Sequence, residues 1–442
     1  MSSYGLSLLG KGIASAVLPL LVLDRTGDVL AAGVIATATT AASAATGLVS
    51  GLLVDRFDRR WVSVVSDLLA ALSVASLPLI DAWVGLNMGW FLALGVLGAV
   101  IRVPGMTAHE SLLPVLARLT PGGPRRLERL IAVREAVGNV LVLAGPGLGG
   151  LMVWLLGLSP ALLLVNAATS LLGAALTLVL DPRCGVVERE PAVPGRGPVR
   201  AAAADLLVGW RFLARNRIVL GASAITAVFA AVMSVLQTVV MPAYFTGVGL
   251  PALAGLTLSA LAAGSILGSA LYAASAGRVS RRAWFVIGML GTLTGFALLA
   301  TLAEPWVVFA AAALVGLTNG PAGTVLGVLT VEVTPDAMRG RVLGAQNTLL
   351  LAAPALATAP LAALADAAGL RPAAVVLAVL VGATSVLALF APVFRDLDPH
   401  ADLDPHAGPE PAAGVPGTVP LGPAESLVTA ASPTANTLGG AR

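Results

Sequence analysis

PAAVVLAVLVGATSVLALFAPVF, residues 372–394, is a continuous apolar stretch. It carries no charge between Arg371 and Arg395. An uncharged apolar run of about 18 residues or more can cross the hydrocarbon core of a bilayer as one helix. Similar runs recur along the chain, of which 57% is hydrophobic and only 11% is charged, whereas soluble domains carry about 25% charged residues. The sequence therefore predicts an all-α integral membrane protein.

The apolar runs divide the chain into twelve predicted membrane-spanning helices. Many of them are rich in glycine and alanine, the small residues that let helices pack closely in a membrane. The predicted spans are 4–23, 29–54, 61–80, 86–108, 130–156, 160–180, 218–243, 250–276, 283–303, 305–330, 342–365 and 372–394.

The basic residues between the spans predict the orientation of the chain. They fall mostly in the even-numbered loops, whereas the odd-numbered loops hold only Arg25 and Arg371. Because basic loops remain in the cytoplasm, we expect a multi-pass protein of a bacterial plasma (inner) membrane with both termini cytoplasmic. A nucleic-acid-binding protein would instead carry a basic face on a soluble domain, so that class is excluded.

Two stretches of similar sequence indicate that the spans form two six-helix pseudo-repeats. GLLVDRFDRR, residues 51–60, follows the second span, and GRVSRR, residues 277–282, follows the eighth at the equivalent position. Secondary transporters commonly bind their substrate between two such repeats and rock one against the other. The predicted units are an N-terminal six-helix bundle (1–180), a cytoplasmic linker loop (181–217), a C-terminal six-helix bundle (218–395) and a disordered cytoplasmic tail (396–442).

No pattern in the sequence points to an enzyme or to a bound cofactor. The chain has no phosphate-binding loop, so ATP hydrolysis is not expected. No His, Cys and carboxylate residues have the spacing of a metal site. Cys184 is the single cysteine and cannot form an intrachain disulfide. We expect neither a metal nor a cofactor.

The second loop carries a recognisable motif. It resembles the signature loop of the major facilitator superfamily, Gly-x-x-x-Asp-Arg-x-Gly-Arg-Arg, which matches this chain at five positions. Asp58 stands where the family has its second glycine. The resemblance implies that the motif carboxylate helps to lock an outward-facing state; the alternative is a charge cluster that only sets topology. The matching residues are Gly51, Asp55, Arg56, Arg59 and Arg60.

A narrower resemblance covers most of residues 8–395. The stretches that carry it resemble the enterobactin-exporter and macrolide-efflux branch of the superfamily. That resemblance implies export of drugs, siderophores or other amphiphiles by proton antiport. The stretches are residues 20–27, 55–60, 66–69, 145–150 and 335–342.

The fifth span contains a stretch similar to the glycine- and proline-rich motif of antiporters. Gly145, Pro146, Gly149 and Gly150 form it. Proline removes a backbone donor and kinks a helix, while the glycines provide a face for close packing. Such a span would be pliable enough for alternating access, and the alternative is ordinary helix packing.

Few charged residues lie inside the spans, and each is a functional candidate because a charge in the membrane is costly. Asp67, Arg102 and Glu135 are the three candidates. We hypothesise that Asp67 and Arg102 lie close enough to interact, and that Asp67 or Glu135 exchanges protons, because a carboxylate in a low dielectric can titrate near neutrality. The alternative is a structural ion pair at the cytoplasmic end of the bundle.

His109 is expected to cap or border the fourth span, and Lys11 falls near the middle of a short first span, where the branch often has Asp.

These observations favour a secondary active transporter that exports a lipophilic or amphiphilic small molecule, coupled to protons. The expected partners are that substrate, the proton gradient and the lipid bilayer, with no nucleic acid, and the protein is expected to be a monomer. The alternatives are an importer or uniporter of the same fold and a non-transporting receptor or scaffold. Retention of Asp55 together with its arginines argues against the last of these.

Overall fold

The computed structural model describes residues 2–119, 124–185, 198–275, 278–335, 338–395 and 397. Its long elements within these ranges are all helical, which confirms the predicted fold class. Eleven helices in the described part are long and apolar enough to cross a membrane, and a shorter apolar segment, Leu143–Leu156, lies in α5. The α-helices are α1 (Ser2–Thr26), α2 (Val29–Arg56), α3 (Arg59–Trp83), α4 (Met88–Leu119), α5 (Pro124–Leu156), α6 (Leu163–Leu178), α7 (Pro198–Arg215), α8 (Arg217–Val235), α9 (Met241–Gly247), α10 (Ala252–Ala274), α11 (Arg281–Ala300), α12 (Pro305–Val333), α13 (Arg339–Ala368) and α14 (Leu370–Phe390).

The predicted seventh span consists of two α-helices joined without a break. A π-helical turn, Leu236–Val240, connects α8 to α9. Pro242 follows directly and lies in the first turn of α9. Proline has no backbone N–H to donate, so one carbonyl in the preceding turn loses its α-helical hydrogen-bond partner. The wider π-helical turn accommodates this interruption. The whole segment, Arg217–Gly247, is long and apolar enough to cross a membrane.

The predicted linker contains a helix that was not among the predicted elements. Helix α7 has a strongly one-sided distribution of apolar residues. Its buried Leu213 packs in one cluster with Val219 of α8 and with Val342 and Ala345 of α13. A helix with one apolar stripe gives no long apolar run, so a search for membrane spans overlooks it.

The helix that contains the fourth span is longer than the span itself, which runs over Met88–His109. Its predicted end was residue 108, but α4 continues to Leu119. His109 therefore lies within the helix rather than at its border, and it is buried, with 7% of its surface exposed. The long apolar run in the sequence is interrupted at His109 and Glu110, but the helix continues through residues 111–119, most of which are apolar.

Each pseudo-repeat has the same cap at the start of its third span. Asp58 is the N-cap of α3, where its side chain accepts a hydrogen bond of 3.0 Å from the backbone N–H of Trp61. Ser280 is the N-cap of α11 and accepts a 3.1 Å hydrogen bond from the N–H of Ala283. Asp and Ser are both favoured at this position. The aspartate that replaces the second glycine of the motif thus begins a helix.

The arginines that follow these two caps also occupy equivalent places. Arg60 donates to the carbonyls of Thr177 (3.2 Å) and Leu178 at the end of α6. Arg282 donates to the carbonyl of Leu389 (3.0 Å) at the end of α14 and to that of Phe394. The last carbonyls of a helix have no partner within the helix. In each repeat one arginine supplies the missing donors, which supports an origin by duplication.

This arrangement predicts matched losses of stability. Replacing Arg60 or Arg282 with alanine should each lower the free energy of unfolding by about 1–3 kcal/mol, because helix-end carbonyls lose their charged donor. Thermal unfolding of the purified protein would measure the loss. Arg278→Ala is the control, since that side chain is exposed in the same loop as Arg282. Equal unfolding temperatures for Arg60→Ala, Arg282→Ala and Arg278→Ala would contradict the assignment.

The helices pack as two groups that meet along two helix pairs. In the first group α1 packs on α5 and α6, and α3 packs on α4 and α6. In the second, α12 packs on α10 and α11, and α13 packs on α8. The groups meet where α5 packs on α10 and α2 packs on α13. Residues 1–398 form one compact unit.

Candidate functional site

The glycine-rich motif of α5 packs against two helices at once. A Cβ atom at Gly145 would lie 2.6 Å from the Cα atom of Gly12 in α1. A Cβ atom at Gly150 would lie 2.5 Å from the carbonyl oxygen of Ala252 in α10, and one at Gly255 would lie 2.3 Å from that of Pro146. These separations are shorter than any real Cβ contact, so glycine is required for the helices to approach this closely. Gly149 packs on α1 in the same way, with its Cβ position 2.8 Å from the carbonyl oxygen of Ile13.

The second contact between the helix groups uses α2 and α13. A Cβ atom at Gly33 would lie 2.1 Å from the Cβ atom of Ala362. Gly33 lies near the start of α2 and Ala362 near the end of α13, and the contact between Gly150 and Ala252 likewise joins the end of α5 to the start of α10. All of these positions are at the end of the bundle opposite the arginine-rich loops. The two groups are therefore tightly packed at that end.

A pocket lies in the other half of the first helix group, toward the arginine-rich loops. It is a small cavity of about 20 Å³ between α1, α3, α4 and α6, room for about one water molecule. Its lining is unusual for a membrane protein because, besides Tyr4, it holds four basic or acidic side chains on three helices. Those side chains are Lys11, Asp67, Arg102 and His109.

Asp67 is the centre of a buried hydrogen-bond network. The residue is 8% exposed. Its Oδ1 atom accepts a hydrogen bond of 3.2 Å from the Ser7 hydroxyl, and its Oδ2 atom lies 3.1 Å from Nε2 of His109. The Ser63 hydroxyl lies 2.9 Å from the same Nε2 atom. The carboxylate thus has a polar partner on each oxygen, and one of those partners can itself carry a proton.

Lys11 and Arg102 line the same pocket without such partners. Among the described residues, neither side chain makes a hydrogen bond or an ion pair. Arg102 feels the favourable charge of Asp67, and Lys11 feels the repulsive charge of Arg102. Lys11 is exposed and lines the pocket.

The structure brings two of the three predicted charge sites together. Asp67 and Arg102 share the pocket, although the direct partners of the carboxylate are Ser7 and His109. Glu135 belongs to α5, and its side chain lies outside the described residues. Which of these groups carries protons stays a prediction.

The signature-loop residues lie at the junction of α2 and α3. Gly51 and Asp55 belong to α2, and their side-chain environments lie outside the described residues. Arg56 ends α2 and is exposed. Arg59 begins α3 and reaches the carbonyl of Ser111 at 3.5 Å, and Arg60 binds the end of α6.

Sequence reasoning missed the residues that complete the pocket. His109 lies at the end of the fourth span, but it does not cap the helix, because α4 continues beyond it and the residue is buried beside Asp67. Spacing could have revealed the set: Ser7 with Lys11 and Ser63 with Asp67 are four apart, and Arg102 with His109 are seven apart. Residues separated by one or two helical turns share a face. Each of the three helices therefore presents two polar groups from one face.

Two membrane-embedded helix groups that pack against each other have the architecture of a secondary transporter. The sequence comparisons extend this assignment from the class to the family. A model of the Major Facilitator Superfamily matches residues 1–271 and 224–432. The chain belongs to the major facilitator superfamily, a family of transporters and not of enzymes.

Two curated relatives match nearly the whole chain. The multidrug efflux pump Tap of Mycolicibacterium fortuitum is 31% identical over 392 residues, which cover 88% of this chain and 94% of that protein. The multidrug efflux pump Tap of Mycobacterium tuberculosis (strain ATCC 25618 / H37Rv) is 30% identical over 392 residues, with coverage of 88% and 91%.

Solved structures share the fold at low sequence identity. The nucleoside transporter NupG aligns with a TM-score of 0.69 and 12% identity over 88% of this chain and 97% of its own. A bacterial homologue of the human lysosomal transporter Spinster, in an inward-facing and unoccupied conformation, aligns with a TM-score of 0.67 and 14% identity over 90% and 97%. At this identity the match establishes the fold alone.

Proposed function

We propose that this transporter exports a lipophilic or amphiphilic small molecule, such as a drug, macrolide or siderophore, in exchange for protons. One observation carries the proposal: near full-length identity of 31% to a multidrug efflux pump coincides with a buried carboxylate in a membrane-embedded pocket. The resemblance to the macrolide-efflux branch supports the same direction of transport.

The pocket supplies the groups that proton exchange needs. A carboxylate that alternates between a neutral and a charged form can couple protons to a change of state, and Asp67 has a buried position from which to do so. His109 lies within hydrogen-bond distance and can relay the proton.

The proposed orientation places the pocket on the cytoplasmic side. The arginine-rich loops are expected in the cytoplasm, and the pocket lies in the half of the bundle next to them. The tight contacts of Gly33 and Gly150 then close the opposite, outer end. In this arrangement the transporter accepts substrate from the cytoplasm and exports it when the two helix groups rock.

The first experiment is dye efflux from bacterial cells that express the chain. The panel holds cationic ethidium, neutral Nile red and anionic anilinonaphthalene sulfonate. At least one dye should leave the cells faster than from cells with an empty vector, and an uncoupler should abolish the difference. Accumulation in place of efflux would favour the alternative importer, and gradient-independent equilibration would favour a uniporter.

Asp55→Asn should weaken that efflux several-fold, because the family resemblance gives Asp55 a role in locking the outward-facing state. Asp58→Asn is the matched control three residues away. Asparagine caps a helix about as well as aspartate, so this variant should keep wild-type efflux. Similar rates for Asp55→Asn and Asp58→Asn at equal expression would remove Asp55 from the transport cycle.

A further inference from the structure

Helix α7 lies at the level where two membrane spans begin. It packs so closely on α13 that a Cβ atom at Gly209 would overlap the carbonyl oxygen of Arg341, and the span of α13 starts at that arginine. Leu213 of α7 packs in one cluster with Val219, which lies close to the start of the span Arg217–Gly247. Because a span begins where the bilayer begins, α7 lies at the boundary between the bilayer and water.

The face of α7 that turns away from the bundle carries two aliphatic side chains. Leu207 is 68% exposed and Val208 is 39% exposed, whereas Gly209 and Leu213 are buried. Moving an aliphatic side chain from water into an apolar layer is favourable. At the level of α7 the bilayer offers such a layer, so the two exposed side chains are placed to enter its surface.

Two arginines continue the same face toward the end of the helix. Arg211 follows Leu207 by four residues and Arg215 follows Arg211 by four, and residues four apart on a helix lie one above the other. Both arginine side chains are exposed, and neither forms a hydrogen bond or an ion pair within the described part of the chain. A guanidinium group binds two phosphate oxygens at once. This face therefore combines apolar contact with groups that recognise phosphate.

We propose that the exposed face of α7 binds anionic phospholipids of the surrounding bilayer. Arg211 and Arg215 bind the headgroup phosphates, and Leu207 and Val208 enter the boundary of the acyl chains. A helix with apolar and basic residues lies in the plane of a membrane surface in this way, and each basic residue near an anionic surface strengthens the attraction. The inference goes beyond the proposed function, because it depends on neither the substrate nor the direction of transport.

An acidic protein would also be complementary to the two arginines, but the position of α7 favours a lipid. The helix is anchored to the first residues of two spans, so a ligand of its outer face must lie beside the bilayer surface. A phospholipid supplies both parts of the complement, an acidic phosphate and apolar chains, at that level. The aliphatic pair and the arginine pair are adjacent on the helix, as the two parts of one lipid are.

Quenching by brominated lipids measures which phospholipid contacts α7 in the full chain. A bimane fluorophore on Ala214→Cys reports on this face, because Ala214 is exposed between the two arginines; Cys184 is buried. The nanodiscs contain phosphatidylglycerol and phosphatidylcholine in equal amounts, with bromine on the acyl chains of one lipid or of the other. Brominated phosphatidylglycerol should quench bimane more strongly than brominated phosphatidylcholine.

Removing the arginines should lower this preference for the anionic lipid. Arg211→Gln and Arg215→Gln should each reduce the ratio of the two lipids' binding constants about fivefold, the effect of one basic residue at an anionic surface. Arg211→Lys keeps the charge and should retain most of the preference. Because salt screens exposed charges, high salt should also reduce the preference.

Two matched controls show whether the effect belongs to α7. Arg371→Gln removes an exposed arginine from the loop between α13 and α14 and should leave the preference at Ala214→Cys unchanged. A bimane on Val84→Cys, at an exposed position that follows α3, should be quenched equally by the two brominated lipids.

Three results would overturn the proposal. Equal quenching by the two lipids at Ala214→Cys would mean that the face does not select anionic lipid. Absence of quenching by either lipid would mean that water, a protein or another part of the chain covers it. An unchanged preference in both Arg211→Gln and Arg215→Gln would remove the arginines from the site. The proposed export is tested separately, since these measurements need no gradient and no transported dye.

Discussion

Asp67→Asn is expected to abolish proton-driven export while leaving the protein folded. Asparagine has the size of aspartate and can still accept the hydrogen bond that Ser7 donates to Oδ1. It cannot bind or release a proton, so the step that ties transport to the gradient is lost. Accumulation of dye in inverted membrane vesicles energised with a proton gradient should fall to the level of vesicles without the protein.

Substrate exchange in the absence of a gradient distinguishes a coupling defect from a binding defect. Asp67→Asn should keep this exchange, because no net proton movement is required. Asp81→Asn is the matched control in the same helix, since Asp81 pairs with Arg25 at the other end of α3. Such exposed pairs contribute only about 0–1 kcal/mol, so this variant should transport normally. Gradient-driven uptake that persists in Asp67→Asn would exclude Asp67 and direct attention to Glu135.

Gly150→Ala and Gly255→Ala are expected to destabilise the state seen in this structure. A methyl group at either position would lie 2.5 Å or less from a backbone carbonyl oxygen of the facing helix. Neither backbone can move without separating α5 from α10. Overpacking of this kind costs about 1–3 kcal/mol, and we expect a lower unfolding temperature and reduced efflux.

Gly327→Ala is the control for the intrinsic effect of adding a methyl group to a helix. Gly327 lies in α12, and a Cβ atom there would meet nothing within 4 Å. Alanine is a better helix former than glycine by up to about 1 kcal/mol, so this variant should be as stable as the wild type or more so. Unfolding temperatures of Gly150→Ala and Gly255→Ala that match that of Gly327→Ala would show that the contact between α5 and α10 is not tight.

The buried Cys184, the single cysteine of the chain, would leave a low background for labelling cysteines introduced at this interface.

The predicted spans agree with the helices because hydropathy is a local signal. Inside the bilayer, backbone polar groups must form their hydrogen bonds within their own helix, and most side chains are apolar. Each span is therefore visible in the sequence as about 20 consecutive apolar residues. The pattern fails where a helix extends beyond its apolar run, as α4 does past residue 108. It also fails for α7, whose apolar residues occupy one face only and pack on Val219 and Val342.

The candidate site was predicted in part. Asp67 and Arg102 were identified because charges in apolar runs are rare, and each stands out without knowledge of its neighbours. His109 was misassigned because it follows the long apolar run of α4, where a sequence cannot distinguish a helix end from a buried polar position. Lys11 was noticed only for its place in the first span.

That this protein is an all-α membrane protein could be predicted from the sequence alone, and its motifs identified the superfamily. These properties can be predicted from single segments, because a membrane helix forms its backbone hydrogen bonds within itself, whatever surrounds it. The meeting of Lys11, Asp67, Arg102 and His109 was decided only by the tertiary structure. Which face of each helix turns toward the pocket depends on how closely neighbouring helices approach, and that approach is set by contacts such as Gly12 against Gly145, between residues far apart in the chain.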